Sequence, residues 1–501
     1  MDESAGPSVR EGSTAWRIAR ADRARVMIDA ATYFPAIRDA MAQAKHRILL
    51  IGWEFDTRIL LNDGWGGDHP GPDRLAEFLL WLANKEPELR IYILNWNIGA
   101  FKLLLRGRTA FTLLRWARHP RIFFRLDSAH PPGCSHHQKI AVVDDCLAAC
   151  GGIDMTRERW DTSEHKEGDP RRQHRRGRGY KPWHDATMLV DGPAAQALAE
   201  LGLERWRVAT GEELPPPQPC GALWPTGIDV HFENADVAIS RTRAAFRDRE
   251  EVREIEALYL ELIARAKRFI YAENQYFASR RVAEAIAARA AEPDGPEVMI
   301  VGPRRADGWL EQEAMDAARA RLIRAIGRRD LRGRFGYYTP VNEAGTPIYV
   351  HAKVLIVDDQ VLRIGSSNMN NRSLGLDSEC DVTIDTALPA NSGMGAAIAA
   401  LRTRLMAEHL NAAEADVART FAETGSLHAT AARLTRPGRA LKPLPLDDFN
   451  AVEKLIADKE LLDPERADGF FEPIARRGLF RRWRERARWR AARPTRVGQP
   501  A

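Results

Sequence analysis

The sequence lacks any apolar run near the roughly 18 consecutive residues that a bilayer-spanning helix needs. Its apolar stretches, such as Ile48–Trp53 and Val298–Gly302, are short and read as buried strands. The opening segment, MDESAGPSVREGSTAW, is polar and lacks the apolar core of a secretory leader. The expectation is a cytoplasmic protein or one at the inner face of a membrane, with signal-independent export left open. Cysteine is scarce: Cys134, Cys146, Cys150, Cys220 and Cys380 are odd in number and form no CxxC pair. They read as reduced thiols rather than a disulfide framework or a zinc site. A one-signed charge is also missing, because 74 basic residues face 69 acidic ones for a net +5. That balance argues against a dedicated nucleic-acid coat while leaving room for a locally basic face.

What is present is ample core-forming material: 45% of the 501 residues are hydrophobic, enough for two or three domains or for two lobes sharing an interface. The chain reads as one layout written twice. Helical spacing over Tyr33–Lys45 leads into a strand-like Arg47–Trp53, and similar spacing over Ile255–Lys267 leads into Arg268–Glu273. Each pair is followed by a helical stretch and a further apolar run, Leu89–Leu94 in one half and Glu297–Val301 in the other. Alternation of this kind favours an α/β fold with helices covering a sheet. Leu214-Pro215-Pro216-Pro217-Gln218-Pro219 is too rich in proline for a helix or a central strand and marks a linker. The expected organisation is a flexible segment over 1–25, a first lobe over 26–213, a linker over 214–235, a second lobe over 236–400 and a helical extension over 401–501. Glu164–Gly179, packed with Arg, His, Gly and Lys, reads as an exposed insertion near the first motif.

Each half carries the pattern His-x-Lys-x-x-x-x-Asp: His137, Lys139 and Asp144, then His351, Lys353 and Asp358. On a strand, positions i and i+2 share a side, so each His–Lys pair points together into one pocket. The apolar residues between Lys and Asp anchor the strand. In the same register behind each motif comes a turn, Gly151-Gly152-Ile153-Asp154 and Gly365-Ser366-Ser367-Asn368. Two lysines suit a phosphate and the charge on its oxygens. One neutral imidazole can attack phosphorus while a second, protonated, gives a proton to the leaving oxygen. Each histidine needs a carboxylate to fix its tautomer. The lysines supply the positive charge, so neither a metal nor a cofactor is expected.

These residues resemble the phospholipase D superfamily over roughly 30–400, and in pattern the eukaryotic-type phospholipases D. The likeness extends to Arg159-Trp160-Asp161-Thr162, Pro182-Trp183-His184-Asp185, Asp191-Gly192-Pro193, Arg205-Trp206, Glu273-Asn274-Gln275-Tyr276-Phe277 and Ile364-Gly365-Ser366-Ser367-Asn368-Met369-Asn370 with Arg372-Ser373-Leu374. The resemblance implies two similar lobes, each a mixed sheet flanked by helices, packed around one shared active site, followed by a helical extension. It implies a covalent phosphohistidine, with His137 as nucleophile and His351 as general acid and then base. Lys139, Lys353, Asn368 and Ser366 would bind the substrate phosphate. Asp144 and Asp358 are motif members, yet in such enzymes these aspartates tend to be structural, and the orienting carboxylates would be Glu379 for His137 and Asp185 for His351. Gly152 and Asp154 stand where the second half has Ser366 and Asn368, an asymmetry that the eukaryotic-type lipases share.

Arg476 to Arg496 holds ten arginines and one acid, with Phe480, Trp483 and Ala487 on one helical face. That suits contact with an anionic membrane, and equally a solvated basic end. Four functions stay open: headgroup cleavage or transfer on a glycerophospholipid, phospholipid synthesis of the cardiolipin synthase kind, a nuclease, and a non-catalytic binding relative. The complete His and Lys pairs disfavour the last, and nucleic acid is disfavoured as a partner. A monomer is expected, because one chain contains both motifs.

Overall fold

The computed structural model describes residues 6–62, 70–96, 108–173, 179–217, 221–306 and 309–446. The first half runs β1 (Arg17–Ile28), α1 (Ala30–Ala42), β2 (Arg47–Gly52), α2 (Leu75–Lys85), β3 (Arg90–Trp96), α3 (Arg108–Ala117), β4 (Ile122–Asp127), β5 (Ile140–Val143), β6 (Leu147–Gly151), β7 (Trp183–His184), β8 (Ala186–Asp191) and α4 (Gly192–Thr210). The second begins with β9 (Phe232–Arg243), β10 (Val252–Arg253), α5 (Glu254–Arg265), β11 (Phe269–Asn274), α6 (Arg280–Ala291), β12 (Glu297–Val301), α7 (Trp309–Gly327) and β13 (Phe335–Val341). It continues through β14 (Tyr349–Val350), β15 (Lys353–Val357), β16 (Val361–Gly365), α8 (Asn371–Gly375) and β17 (Glu379–Asp385), and then α9 (Gly395–Leu410), α10 (Glu414–Thr424), α11 (Leu427–Leu434) and β18 (Ala440–Pro443).

The strands form one continuous mixed sheet, sixteen-stranded among the described residues, in the order β18-β13-β12-β11-β15-β16-β17-β9-β1-β8-β6-β5-β2-β3-β4, with β10 on β9. Read outwards from the central β9–β1 pair, the two arms list equivalent elements in the same sequence. The antiparallel β1–β9 ladder, from Arg17↔Ile239 to Ala24↔Phe232, therefore joins the lobes edge to edge. This corrects the expectation of a flexible amino-terminal segment up to residue 25. β1 is held on both edges, by β9 and by β8.

Local sequence explains the elements. β2 (RILLIG) and β5 (IAVV) are nearly continuous apolar runs, as strands covered on both faces require. α1 buries Tyr33, Phe34, Ile37 and Met41 at helical spacing. Ser279 caps α6 by accepting the Val282 N–H. Three principal cores result. One lies under α1 and α2, one under α5 and α6, and the largest lies between the arms, where Val142, Cys150 and Met188 join the same cluster as Val354, Ile364 and Cys380. Cys134, Cys150 and Cys380 are free and buried, whereas Cys146 is disulfide-bonded, which departs from the expectation of reduced thiols throughout.

The carboxy-terminal extension is helical as expected through α9, α10 and α11, but it ends in a strand, β18, that lengthens the sheet beside β13. The arginine-rich tail lies outside the described residues. The Glu164–Gly179 segment is not simply a surface insertion, because His165 and Arg172 are buried.

Candidate active site

The two His-Lys strands, β5 and β15, occupy matching positions in the arms, and each histidine lies just before its strand. The backbone crosses over there. His137 N–H donates to the Ser378 carbonyl (2.9 Å), one residue before Glu379, and His351 N–H donates to the His184 carbonyl (2.7 Å), one residue before Asp185. The second contact belongs to a short parallel ladder in which β14 pairs with β7. Each histidine is thereby set against a carboxylate from the opposite half. His137 Nδ1 lies 2.9 and 3.0 Å from the two Glu379 oxygens, and His351 Nδ1 lies 2.7 Å from Asp185 Oδ2. Both carboxylates are fully buried. Occupation of Nδ1 leaves Nε2 as the ring nitrogen available for chemistry.

Burial, reinforced by Lys139 and Lys353, holds the His137 imidazole well below its ordinary pKa. Burial, with Lys353, Arg159 and Lys139, does the same for His351, and His137 adds to it. Both lysines thus act on both histidines, the electrostatic sign of one shared site. Burial pulls Lys353 down to about 7 against the attraction of Asp185. Burial pushes Glu379 up to about 8, opposed by hydrogen bonds from Ser366 and Ser373.

The halves differ in what faces each lysine. Lys139 Nζ donates to the His137 carbonyl (3.0 Å) and pairs with Asp154 Oδ2 (3.1 Å). Lys353 donates to the His351 carbonyl and to Gln275 Oε1 (3.1 Å), a neutral partner that leaves its charge unopposed at that contact. Asn368 Nδ2 reaches the same Gln275 oxygen at 3.4 Å, and Asn368 Oδ1 is buried without a hydrogen-bond partner.

The turn asymmetry has a steric cause. A Cβ on Gly152 would stand 2.1 Å from Asp185 Oδ1, so only glycine leaves room for that carboxylate. At the equivalent place Ser366 Oγ donates to Glu379 Oε2 and accepts the Cys380 N–H. Ser366, expected at the substrate phosphate, therefore contacts the carboxylate behind His137. Asp144 and Asp358 are also removed from the chemistry. Each sits in a hairpin turn with positive φ (50° and 55°) and accepts three backbone N–H groups. Those donors are Lys45, His46 and Arg47 for Asp144, and Lys267, Arg268 and Phe269 for Asp358, all at 2.7–2.8 Å. They lash the far ends of β5 and β15 to the segments entering β2 and β11 and are structural, not catalytic.

Sequence reasoning assigned no role to several neighbours. Trp53 stacks on Trp96 (5.6 Å between centroids) and meets His137 edge-on (6.1 Å). Trp183 stacks on Tyr349 (4.6 Å) beside His351 (5.1 Å), and Arg159 lies 4.0 Å over Trp183. The signal available for Arg159, Trp183 and Gln275 was their place in quoted motifs. Nothing flagged Trp53.

A duplicated α/β sheet thus delivers two histidine–carboxylate pairs and two lysines to one site. Residues 259–396 match the family described as "Cardiolipin synthase, PLD-like domain". The chain is 25% identical to Phospholipase D alpha 2 of Oryza sativa subsp. japonica, over 68% of this chain and 58% of that protein. It is likewise 25% identical to Phospholipase D1 of Schizosaccharomyces pombe, over 80% of this chain and 37% of that one. It thus spans less than two thirds of either relative. In fold it is similar to the phosphatidylserine synthase of Haemophilus influenzae Rd KW20, with a TM-score of 0.53 at 13% identity, covering 75% of this chain and 88% of the other. By these likenesses the chain is similar to members of the phospholipase D superfamily.

Proposed function

We propose that this protein is a phospholipase D-type phosphodiesterase that cleaves the headgroup phosphodiester of glycerophospholipids to phosphatidic acid, or transfers the phosphatidyl group to an alcohol. The observation that carries this reading is the crossed pairing of His137 with Glu379 and of His351 with Asp185 around Lys139 and Lys353.

His137 Nε2 attacks phosphorus and forms a P–N bond as the bond to the headgroup oxygen breaks. His351 gives that oxygen a proton. Water or an alcohol then loses its proton to His351 and attacks the phosphohistidine, freeing His137. Glu379 holds His137 with its proton on Nδ1, which keeps the Nε2 lone pair for phosphorus. Both imidazoles are depressed in the free site, and the negative charge of a bound phosphodiester raises His351 towards the protonated state that donation requires. Lys353, Lys139 and Asn368 bind the phosphate oxygens and stabilise charge in the transition state. The aromatic pairs Trp53–Trp96 and Trp183–Tyr349 supply apolar walls for the glyceryl and acyl side of a lipid.

A second reading is phospholipid synthesis by the same phosphatidyl transfer. The description of the family matched over 259–396 supports it. Purified protein is incubated with phosphatidylcholine, phosphatidylethanolamine and phosphatidylglycerol, with and without ethanol. Phosphatidic acid plus phosphatidylethanol is expected, and cardiolipin made from phosphatidylglycerol would favour the synthase. No product from any lipid, together with cleavage of single-stranded DNA, would overturn both readings.

A further inference from the structure

Behind the catalytic pair His351–Asp185 lies a second cluster that the chemistry above does not use. We propose that Asp29, His165, His184 and Glu408 form a site for a divalent first-row transition-metal ion, Zn2+ foremost, that ties the first half to the carboxy-terminal helix α9 beneath the active site.

The ligand atoms of these four residues all lie within 4.8 Å of one another, and all four residues are more than nine-tenths buried. His165 Nε2 stands 3.1 Å from Glu408 Oε1 and 3.9 Å from Asp29 Oδ2, and His184 Nδ1 stands 2.7 Å from Glu408 Oε1 and 3.4 Å from Asp29 Oδ1. Metal–ligand bonds of about 2.0–2.1 Å in a tetrahedron place ligand atoms about 3.3 Å apart, inside that range. Two imidazoles with two carboxylates form a donor set suited to Zn2+ and its neighbours rather than to Ca2+ or Mg2+.

The surroundings are those of a built site. The nitrogen of each histidine that faces away from the cluster is already taken by another carboxylate: His165 Nδ1 by Asp161 Oδ2 (2.9 Å) and His184 Nε2 by Glu273 Oε2 (2.7 Å). Such outer carboxylates fix the tautomer and raise the basicity of a metal-bound imidazole. They are themselves held. Asp161 pairs with Arg172 (2.8 Å) and accepts the Trp183 N–H (2.9 Å), while Glu273 accepts the Tyr271 hydroxyl (2.6 Å) and contacts His409 Nε2 (2.8 Å).

Two further observations call for a cation. Among the described residues no Lys or Arg nitrogen lies within 4.0 Å of the Asp29 or Glu408 carboxylate, and their ionic partners are the histidine nitrogens themselves. Two buried carboxylates are costly without compensating positive charge, and a divalent ion would supply it in place of protons on the two histidines that face them. Glu408 Oε2, moreover, is buried with no hydrogen-bond partner.

The ligands come from the end of β1, the loop after Asp161, β7 and α9. Asp29 also braces the catalytic side: its N–H donates to the Asp185 carbonyl (2.8 Å), and its Oδ1 accepts the Asp185 N–H (3.2 Å). The ion would fix Asp185, and through it His351, without touching substrate.

The test is metal analysis of the full-length protein, purified without chelators or immobilised-metal resin. About one equivalent of a first-row ion per chain is expected, with Glu408→Gln and His165→Ala falling to roughly a tenth of that. His137→Asn, outside the cluster, should retain the ion, and its loss there would move the metal to the catalytic pocket and overturn the proposal. Should the ligand variants fail to fold, wild-type protein stripped with dipicolinate decides instead. Its melting temperature should rise on adding Zn2+ and not on adding Mg2+. A folded wild-type protein that carries no metal and whose melting point ignores Zn2+, Mn2+, Fe2+ and Ni2+ would refute the site. A metal-loaded protein inactive on every phospholipid would refute the proposed function alone, and an active, metal-free one this site alone.

Discussion

His351 Nδ1 lies 2.7 Å from Asp185 Oδ2 although 166 residues separate them, and the His184 carbonyl beside that aspartate accepts the His351 N–H at 2.7 Å. The same device recurs between His137 and Glu379 through Ser378. Each half therefore carries a histidine whose orienting carboxylate belongs to the other half, and neither half contains a complete pair. Main-chain and side-chain bonds act together, so the imidazole orientation is set by the docking of the arms rather than by either strand alone.

With water as the last acceptor, a variant lacking the second histidine should stall after the first displacement. His351→Asn is expected to accumulate a covalent phosphohistidine detectable by intact-protein mass spectrometry, and His137→Asn should accumulate none. Turnover should fall by roughly 10²–10⁴-fold in each. Trapping in His137→Asn instead would exchange the two roles.

Gly152→Ala should act through Asp185. The added Cβ would stand 2.1 Å from Asp185 Oδ1, so the carboxylate must withdraw from its place against His351. A fall in kcat of roughly 10²-fold with little change in KM is expected, a scale set by losing one preorganised group. Circular dichroism establishes that the variant is folded. An unchanged kcat would show that Asp185 does not need its present position.

The pH profile of kcat/KM should be narrow. Lys353, held down to about 7, carries its charge below that pH and loses it above. Glu379, pushed up to about 8, is a carboxylate above that pH and is protonated below. The product of the two active forms peaks between these values and falls on both sides. Lys353→Arg should remove the alkaline limb, because a guanidinium does not titrate there. A profile flat from about pH 6 to 9 would contradict the assignment.

Ser366→Ala separates a positioning role from phosphate binding. The Ser366 hydroxyl bond lowers the Glu379 pKa, so its loss should shift the acid limb to higher pH. A change confined to KM, with the limb in place, would instead make Ser366 a phosphate ligand.

Asp144→Ala and Asp358→Ala should cost stability and spare chemistry. Each strips the acceptor from three backbone N–H groups, and about 1–3 kcal/mol is expected from the donors left unpaired. Denaturant midpoints measure the loss, and kcat per folded molecule should stay close to wild type.

Much of this protein is local information. Four apolar residues that bury a strand, a His and Lys that lead into it and an Asp that turns it are all written within the motifs at His137 and His351. The alternation of helices with short apolar runs likewise determined the class of fold, because those periods depend only on which faces must leave water. The family resemblance implied that the motif aspartates tend to be structural, and in the fold each accepts three backbone N–H groups. What only the tertiary structure decided is everything that needs two distant segments at once. Residues 1–25 read as a flexible segment, yet the strand Arg17–Ile28 that begins within them is paired on both edges at the centre of the sheet. The resemblance placed Ser366 at the phosphate, and its contact with Glu379, thirteen residues away and beyond a turn, is seen only in the fold. The burial of His165 against Glu408, 243 residues later, has no trace in local composition. Burial and charge shift a pKa through space, and a linear pattern records neither.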